Sequence, residues 1–309
     1  MNDAHQSWEF AAAKINLTLR ILGRGADGYH RLSSLVGFAD IGDRLRMVAT
    51  PEARAGFTLR MFGREAAALR QCDPAENLVL RAARSIAAEA ERLGFSIPQA
   101  LGLELEKNLP VASGIGGGSA DAAATLRLLN RQFGWEMQPP TLVRLALCLG
   151  ADVPACLRSR SLLMEGIGEE IQPVRLPTGL SILIVNPRIG LSTAAVFSAF
   201  AQDGGDYSPP LSLPNSLSRP DCFFDYVRRG GNDLTAAACR LNPAIAESLT
   251  VLSSLPGVDY CAMSGSGASC FALFRRRDLG LEAEQQLSRS HPDWWVSFGN
   301  LCETAPAHD

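Results

Sequence analysis

The sequence predicts an α+β fold in two lobes, on three observations. The 309 residues amount to about two domains at roughly 150 residues each. Strand-like runs are interleaved with helix-like runs along the whole chain. The pattern changes near residue 173, where Pro173 and Pro177 precede a new strand-like run, so the lobes are expected to meet around residues 165–180.

Taken in order, Lys14 to Ile21 alternates polar and apolar, the period of a strand with one buried face. That alternation puts Lys14, Asn16 and Thr18 opposite Ile15, Leu17 and Leu19. Gly23 to Gly28 reads as a turn-rich loop closed by Asp27-Gly28. Strands are expected at Leu45–Ala49, Phe57–Phe62 and Leu101–Leu105. Asn77–Leu93 reads as a helix stopped by Gly94, with Leu78, Ala82, Ile86 and Leu93 among its apolar residues. A second helix is expected from Ser119 to Phe133, with Ser119 as N-cap and Asp121 in the first turn, where a carboxylate suits the helix dipole. A third runs from Thr141 to Leu149 and ends at Gly150. After the strand Leu180–Val185, the Gly-, Ser- and Pro-rich stretch from Asp203 to Pro220 reads as a long surface loop, an insertion. Helices at Pro243–Ser254 and Leu281–Ser288 flank strands at Tyr260–Met263 and Cys270–Phe274, and no internal repeat is visible.

Composition narrows the function classes. Apolar residues make up 47% and charged residues 20%, as in an ordinary globular protein and unlike a disordered one. With 29 Lys plus Arg against 32 Asp plus Glu, the chain lacks the basic excess that a main nucleic acid partner usually demands, which leaves room for a local basic pocket. Its apolar runs fall short of the ~18 residues that span a bilayer. The start, Met1-Asn2-Asp3-Ala4-His5, lacks the basic and apolar regions of a signal peptide, so a cytoplasmic protein is expected. The 8 cysteines form no C-x-x-C pair and are expected reduced and mostly buried. With 4 histidines and no H-E-x-x-H, no protein-held transition metal is expected.

The most informative stretch is Pro110-Val111-Ala112-Ser113-Gly114-Ile115-Gly116-Gly117-Gly118-Ser119, between a strand and a helix. Glycines let backbone N–H groups approach an anion, and a helix N-terminus adds free donors and a partial positive charge. Phosphate is the natural ligand. The stretch is neither a Walker loop, since Ser119-Ala120 follows Gly118, nor a G-x-G-x-x-G fingerprint. Glycine content alone fits a flexible connection as well as a phosphate cradle; the helix cap favours the cradle.

Four segments together resemble the superfamily of galactokinase, homoserine kinase, mevalonate kinase and phosphomevalonate kinase, the GHMP kinases. They are Ala13-Lys14-Ile15-Asn16-Leu17; the loop Pro110 to Ser119 with Ala120-Asp121-Ala122-Ala123; Leu149-Gly150-Ala151-Asp152-Val153-Pro154; and Ser264-Gly265-Ser266-Gly267-Ala268-Ser269. Asp27-Gly28-Tyr29-His30, with Glu76-Asn77-Leu78, Glu165 to Glu169 and Asn232-Asp233-Leu234, is similar to the branch whose alcohol substrate carries a cytidine diphosphate. The resemblance spans Ala12 to Phe274. It departs at Ser119-Ala120, where many relatives carry two hydroxyl residues, and Gly204 to Pro220 matches nothing in it.

The resemblance implies a two-lobed small-molecule kinase. Residues 1–172 would form an ATP-binding and catalytic lobe of the ribosomal-protein-S5-domain-2-like type. Residues 173–309 would form a ferredoxin-like substrate-binding lobe whose last strand could return to the first. Such an enzyme, a monomer or homodimer with no nucleic acid or membrane partner, would use ATP and Mg²⁺ to phosphorylate the 2-hydroxyl of a cytidine-diphosphate-linked methylerythritol in the non-mevalonate isoprenoid route. A homoserine- or mevalonate-type alcohol kinase is the alternative. Asp152 would be the catalytic carboxylate and Lys14 its partner, where the residues alone also fit a turn-forming Asp and a solvated Lys. Asn77, Lys107, Pro110, Gly114, Ile115, Gly116, Gly117, Gly118 and Ser119 would hold ATP, although the residues alone also fit Asn77 as only a helix cap and Lys107 as only a surface charge. Asn16 would meet a substrate hydroxyl or phosphate, and Gly265, Ser266 and Gly267, which alone also fit a β-hairpin turn, would face the erythritol-phosphate end of the acceptor or the catalytic loop. Tyr29 would stack on cytosine, His30 would bond its edge, and Phe197 would lie on its other side, although Phe197 equally fits a core position.

Overall fold

The computed structural model describes residues 7–26, 28–48, 56–69, 73–202, 204–205, 207–214 and 216–306. In chain order, the first half contains β1 (Glu9–Asn16), β2 (Arg20–Arg24), β3 (His30–Val48), β4 (Gly56–Phe62), α1 (Ala66–Leu69), α2 (Leu78–Arg92), β5 (Ala100–Glu106), α3 (Gly117–Gln132), α4 (Pro139–Leu149), α5 (Val153–Arg158), β6 (Leu162–Gly166) and β7 (Glu170–Pro173). The second half contains β8 (Ser181–Asn186), α6 (Thr193–Gln202), α7 (Pro220–Gly230), α8 (Thr235–Leu241), α9 (Pro243–Ser253), β9 (Tyr260–Met263), β10 (Cys270–Phe274), α10 (Arg277–Ser290) and β11 (Trp295–Cys302).

The 19-residue β3 organises the sheet. Its first residues pair with β2 and β6, its middle with β1 and β11, and its end with β5. The main path runs β4-β5-β3-β11-β8-β10-β9. β11 therefore joins the halves: it pairs with β8 along most of its length and with β3 at Leu301 and Cys302. The result is α+β and two-lobed, with a helical layer over each half. One core packs α2, α3 and α4 on β3 and β5; another packs α8, α9 and α10 on β8 and β10; a third, with Ile15, Leu35, Ile182 and Phe271, lies between them. In α3 the residues against the sheet and α2 are small: Ala120, Ala122, Ala123 and Ala124 are all buried. A larger side chain there would overpack a close helix–sheet contact, at a cost of about 1–3 kcal/mol.

Several sequence expectations need correction. Lys14 to Ile21 is not one strand. β1 ends at Asn16 and the chain leaves its ladder: the N–H groups of Leu17 and Thr18 both donate to Leu35 O, and that of Leu19 donates to Gly231 O. Nor does it have one exposed face, since Lys14, Asn16 and Thr18 are as buried as their apolar neighbours. Leu45 to Val48 is the end of β3, and Ala49 lies outside the described residues, as do Met1 to His5, Asp27, Cys72, Asp203 and Asp206. α3 begins two residues early, so Ser119 sits inside its first turn and Gly116, in a left-handed conformation, is the N-cap. Asp121 consequently lies beyond that turn, and its carboxylate turns inward to Lys107.

The stretch after residue 203 is not simply a surface loop. Leu217 is buried, Leu211 and Leu213 pack on the middle core, and Ser208 N–H donates to Ile21 O. Pro220 already belongs to α7, where proline fits the first helical turn. The described cysteines are all free; Cys156 and Cys270 are buried, whereas Cys148 is exposed.

Candidate active site

A cavity of about 590 Å³ lies where the two lobes meet. β1 delivers Lys14 and Asn16 to it on one face, two residues apart. The α4–α5 junction delivers Asp152, the N-cap of α5, followed by Pro154 in the first turn. Lys14 Nζ donates to Asp152 Oδ1 at 2.7 Å. The lysine is buried, while 39% of the aspartate side chain is exposed, towards the cavity. Asn16 Nδ2 donates to Ser34 Oγ at 2.7 Å, and its N–H donates to Ser264 Oγ. Its Oδ1 has no partner although the residue is 2% exposed. An orphaned buried acceptor on a cavity wall is satisfied by a ligand that donates a hydrogen bond, such as a hydroxyl.

Beside Lys14 stands the glycine loop. Gly114, Gly116, Gly117, Gly118 and Ser119 line the cavity. Gly114 has φ +76°, and a Cβ there would sit 2.5 Å from Ser264 O and 2.7 Å from Gly267 O. The two glycine-rich turns therefore touch backbone to backbone; Ser269 N–H donates to Ser113 O, and Ser264 Oγ to Gly114 O. Gly265 and Ser266 line the cavity from the second turn, while Gly267 N–H closes it by donating to Ser264 O. Ile115 is buried in the middle core, with its carbonyl accepting Lys14 N–H. Pro110 is buried at the loop's start, its carbonyl accepting Ser113 Oγ. The first intrahelical bond of α3 runs from Ala120 N–H to Gly116 O. The N–H groups before it have no helical carbonyl to reach, which leaves them for an anion.

An adjoining cavity of about 250 Å³ is lined by Asn77, Lys107 and Asp121 among mostly apolar groups. Asn77 caps α2, its Oδ1 accepting Val79 N–H. Lys107 is not a surface charge: it is buried beneath Gly117 and donates to Asp43 Oδ2 at 2.5 Å and Asp121 Oδ2 at 2.8 Å. Burial opposes its charge, but Asp121 and Asp43 outweigh burial and hold its pKa above the ordinary lysine range. Burial pushes the Asp121 carboxyl up to about 8, against the pull of Lys107, and its Oδ1 is unpartnered. Asp43 Oδ1 also accepts the N–H groups of Asn108 and Leu109, which fixes the chain entering the loop.

At the other end of the large cavity, Phe197 on α6 lines the wall and stacks on His30, with ring centroids 5.0 Å apart and 29° between planes. Burial, aided by Arg24, lowers the His30 pKa, and its buried Nε2 has no partner. Tyr29, next to it, is 65% exposed. Sequence reasoning missed Ser192 and Thr193 on the cavity wall; Thr193 Oγ1 lies 2.8 Å from Ser266 Oγ. The Ser-Thr pair opening an apolar helical run was a signal that could have found them. It also missed Asp43, whose separation of 64 residues from Lys107 leaves no local signal.

The sequence matches known families. The model of the GHMP kinases N terminal domain matches residues 77–160, from the cap of α2 through α5, and that of the GHMP kinases C terminal matches residues 217–293. A 4-diphosphocytidyl-2-C-methyl-D-erythritol kinase of Parvibaculum lavamentivorans is 46% identical over 288 residues, covering 93% of this chain and 96% of that protein. One of Rhodopseudomonas palustris strain BisB18 is 42% identical over 299 residues, covering 94% of each. This chain belongs to the 4-diphosphocytidyl-2-C-methyl-D-erythritol kinase family.

A crystal structure of a 4-(cytidine 5'-diphospho)-2C-methyl-D-erythritol kinase superposes with a TM-score of 0.73 at 30% identity, over 95% of this chain and 99% of that one. A homoserine kinase from Cytophaga hutchinsonii superposes with a TM-score of 0.70 at 18% identity and shows the shared fold alone. Within the family framework, the open N–H groups of α3 and the glycines packed without side chains suit a nucleotide's phosphates. Among the described residues no group of three or more His, Cys, Asp or Glu is placed to hold a metal ion, and no helix is long and apolar enough to cross a membrane.

Proposed function

We propose that this chain transfers the γ-phosphate of ATP to the 2-hydroxyl of 4-diphosphocytidyl-2-C-methyl-D-erythritol, in the cytoplasm, giving the 2-phosphate and ADP. The observation that carries the reading is the Lys14–Asp152 pair, 2.7 Å apart and lining one cavity with the glycine loop, against which Lys14 packs.

Phosphoryl transfer passes through a loose transition state and depends mostly on positioning and charge stabilisation. Asp152 accepts the hydroxyl proton as the oxygen–phosphorus bond forms and the bond to ADP breaks. Lys14 orients that carboxylate and draws the phosphoryl group with its positive charge. The glycine loop, Gly114 to Ser119, holds the phosphates through main-chain N–H groups. Pro110 and Ile115 fix its course. Asn77 and the adjoining apolar cavity take the adenine, with Lys107 supporting the loop from beneath. Mg²⁺ accompanying the nucleotide would neutralise phosphate charge, and Ser119 would offer it a loop hydroxyl. Asn16 and the turn Gly265-Ser266-Gly267 meet the polar middle of the acceptor. His30 and Phe197 hold cytosine, with Tyr29 on the outer face. The first lobe, 1–172, supplies the ATP side and the catalytic pair; the second, 173–309, returns β11 to β3.

A coupled ADP-release assay tests this, with ATP, Mg²⁺ and each of three alcohols. ADP release only with 4-diphosphocytidyl-2-C-methyl-D-erythritol is expected. Equal release with mevalonate or homoserine would overturn the cytidine assignment.

A further inference from the structure

One wall of the large cavity is a strap, residues 187–192, between β8 and α6, with the first residue of α6, Thr193. Leu191, Ser192 and Thr193 line the cavity, and the helix that follows carries Phe197. The root of the strap is fastened twice to the glycine-loop side. At the first fastening, buried Asn186 donates from Nδ2 to Ser269 Oγ at 2.9 Å and accepts Arg188 N–H at 2.7 Å. Ser269 in turn donates its N–H to Ser113 O in the glycine loop. At the second, the Arg188 guanidinium grips Glu65 with both ends, Nη1 to Oε2 at 2.9 Å and Nη2 to Oε1 at 2.7 Å. Glu65 is 5% exposed, and its N–H donates to Lys107 O at 2.8 Å.

This second fastening carries marks of a built contact. The pair is bidentate, the strongest and most directional form of an Arg–carboxylate bond. Its carboxylate is buried, so removing the arginine leaves a buried acceptor without its main donor. Arg188 reaches Glu65 from φ +56°, a left-handed conformation that non-glycine residues seldom adopt. Neither side chain lines the large cavity.

We infer that Arg188 and Glu65 form a latch that positions the strap, and thereby set the affinity for the acceptor alcohol. This rests on the proposed reading of the cavity. Both are positioning residues. The catalytic pair is held separately, by β1 and the α4–α5 junction, so the rate of transfer does not depend on the latch. The nucleotide phosphates meet main-chain groups that the strap does not supply.

The test is Arg188→Met, which keeps the apolar stem, with Arg188→Lys as the conservative rescue. The KM for the cytidine alcohol should rise about fivefold in Arg188→Met, the scale of a partly exposed ion pair. The kcat and the KM for ATP should stay within about twofold, and Arg188→Lys should recover part of the loss. An unchanged acceptor KM, or a fall in kcat that tracks a lower melting temperature, would overturn the latch. Hydrogen exchange on the ligand-free protein separates this inference from the functional reading. Amides 189–193 should exchange faster in Arg188→Met than in the parent, and equal exchange would also overturn the latch. If the parent fails to phosphorylate the cytidine alcohol, the functional reading falls, while exchange still decides the latch.

Discussion

The glycine-loop side of the cavity and its aromatic side differ in what each leaves unsatisfied. On the glycine-loop side, two turns meet main chain to main chain, and Lys107 beneath them is paired with Asp43 and Asp121. What this side offers a ligand is mainly main-chain N–H groups at the start of α3. On the aromatic side, the contributing groups are side chains from separate segments. His30 Nε2 is buried without a partner, and Tyr29 is largely in solvent. A site made of backbone is rigid before its ligand arrives and hard to change without unfolding. A site made of side chains can be altered one residue at a time. The first should therefore couple to stability and the second to acceptor specificity.

Asp152 sits between the two sides, so the largest effect is expected there. Asp152→Asn keeps the shape but removes the proton acceptor. Turnover should fall by about 10²–10⁴-fold, the range for loss of a general base, with both KM values nearly unchanged. Steady-state kinetics check this, and near-parental turnover would remove Asp152 from the mechanism. Next comes Gly114→Ala, which combines a positive φ with a Cβ 2.5 Å from Ser264 O. Stability should drop by about 2–3 kcal/mol, as expected for strain at a special backbone position, measured by urea unfolding. On the aromatic side, Tyr29→Ala should leave stability within about 0.5 kcal/mol and raise the acceptor KM by about tenfold, within the range for a lost base stack. The contrast breaks if Gly114→Ala unfolds normally or if Tyr29→Ala shifts unfolding as much.

The same contrast explains what could be read from the sequence. α2, β4, β5, β9 and β10 were visible because their patterns are local and their ends carry Asn77, Gly94 or similar punctuation. Lys14 and Asn16 were placed on one face by strand periodicity alone, and both do line the cavity. β3 was visible only at its end, because it changes partner along its length and is buried on both faces over residues 33–39 but on alternate residues after them, leaving no single period. The start of α3 was misplaced because Gly116 caps it by conformation, where the sequence suggested the Ser119 hydroxyl. The charges that brace the glycine loop were invisible, since Asp43, Lys107 and Asp121 are brought together only by the fold. After residue 203, a Gly, Ser and Pro composition masked a usable signal: Leu211, Leu213 and Leu217 recur at even spacing, as an extended segment lying on a core requires.

The smallest expected effect concerns protonation of the aromatic side. Burial lowers the His30 pKa, with Arg24 adding to the shift, so the ring keeps its neutral form to lower pH than a free imidazole, whose ordinary value is 6.5. A neutral imidazole offers one donor and one acceptor, the pair that a base edge can use. If His30 holds the acceptor in this form, the acid limb of kcat/KM for the cytidine alcohol should be centred below pH 6.5. Stability follows the same sign. The unfolded chain takes up the proton first, so the contribution present at neutral pH is lost as pH drops from 6.5 towards the lower folded value. His30→Gln keeps a donor and an acceptor but cannot titrate, and should abolish the His30 part of both dependences. A pH–rate profile of parent and variant decides the matter. An acid limb centred at or above pH 6.5 would contradict the buried neutral ring, and an identical limb in His30→Gln would assign it to another group.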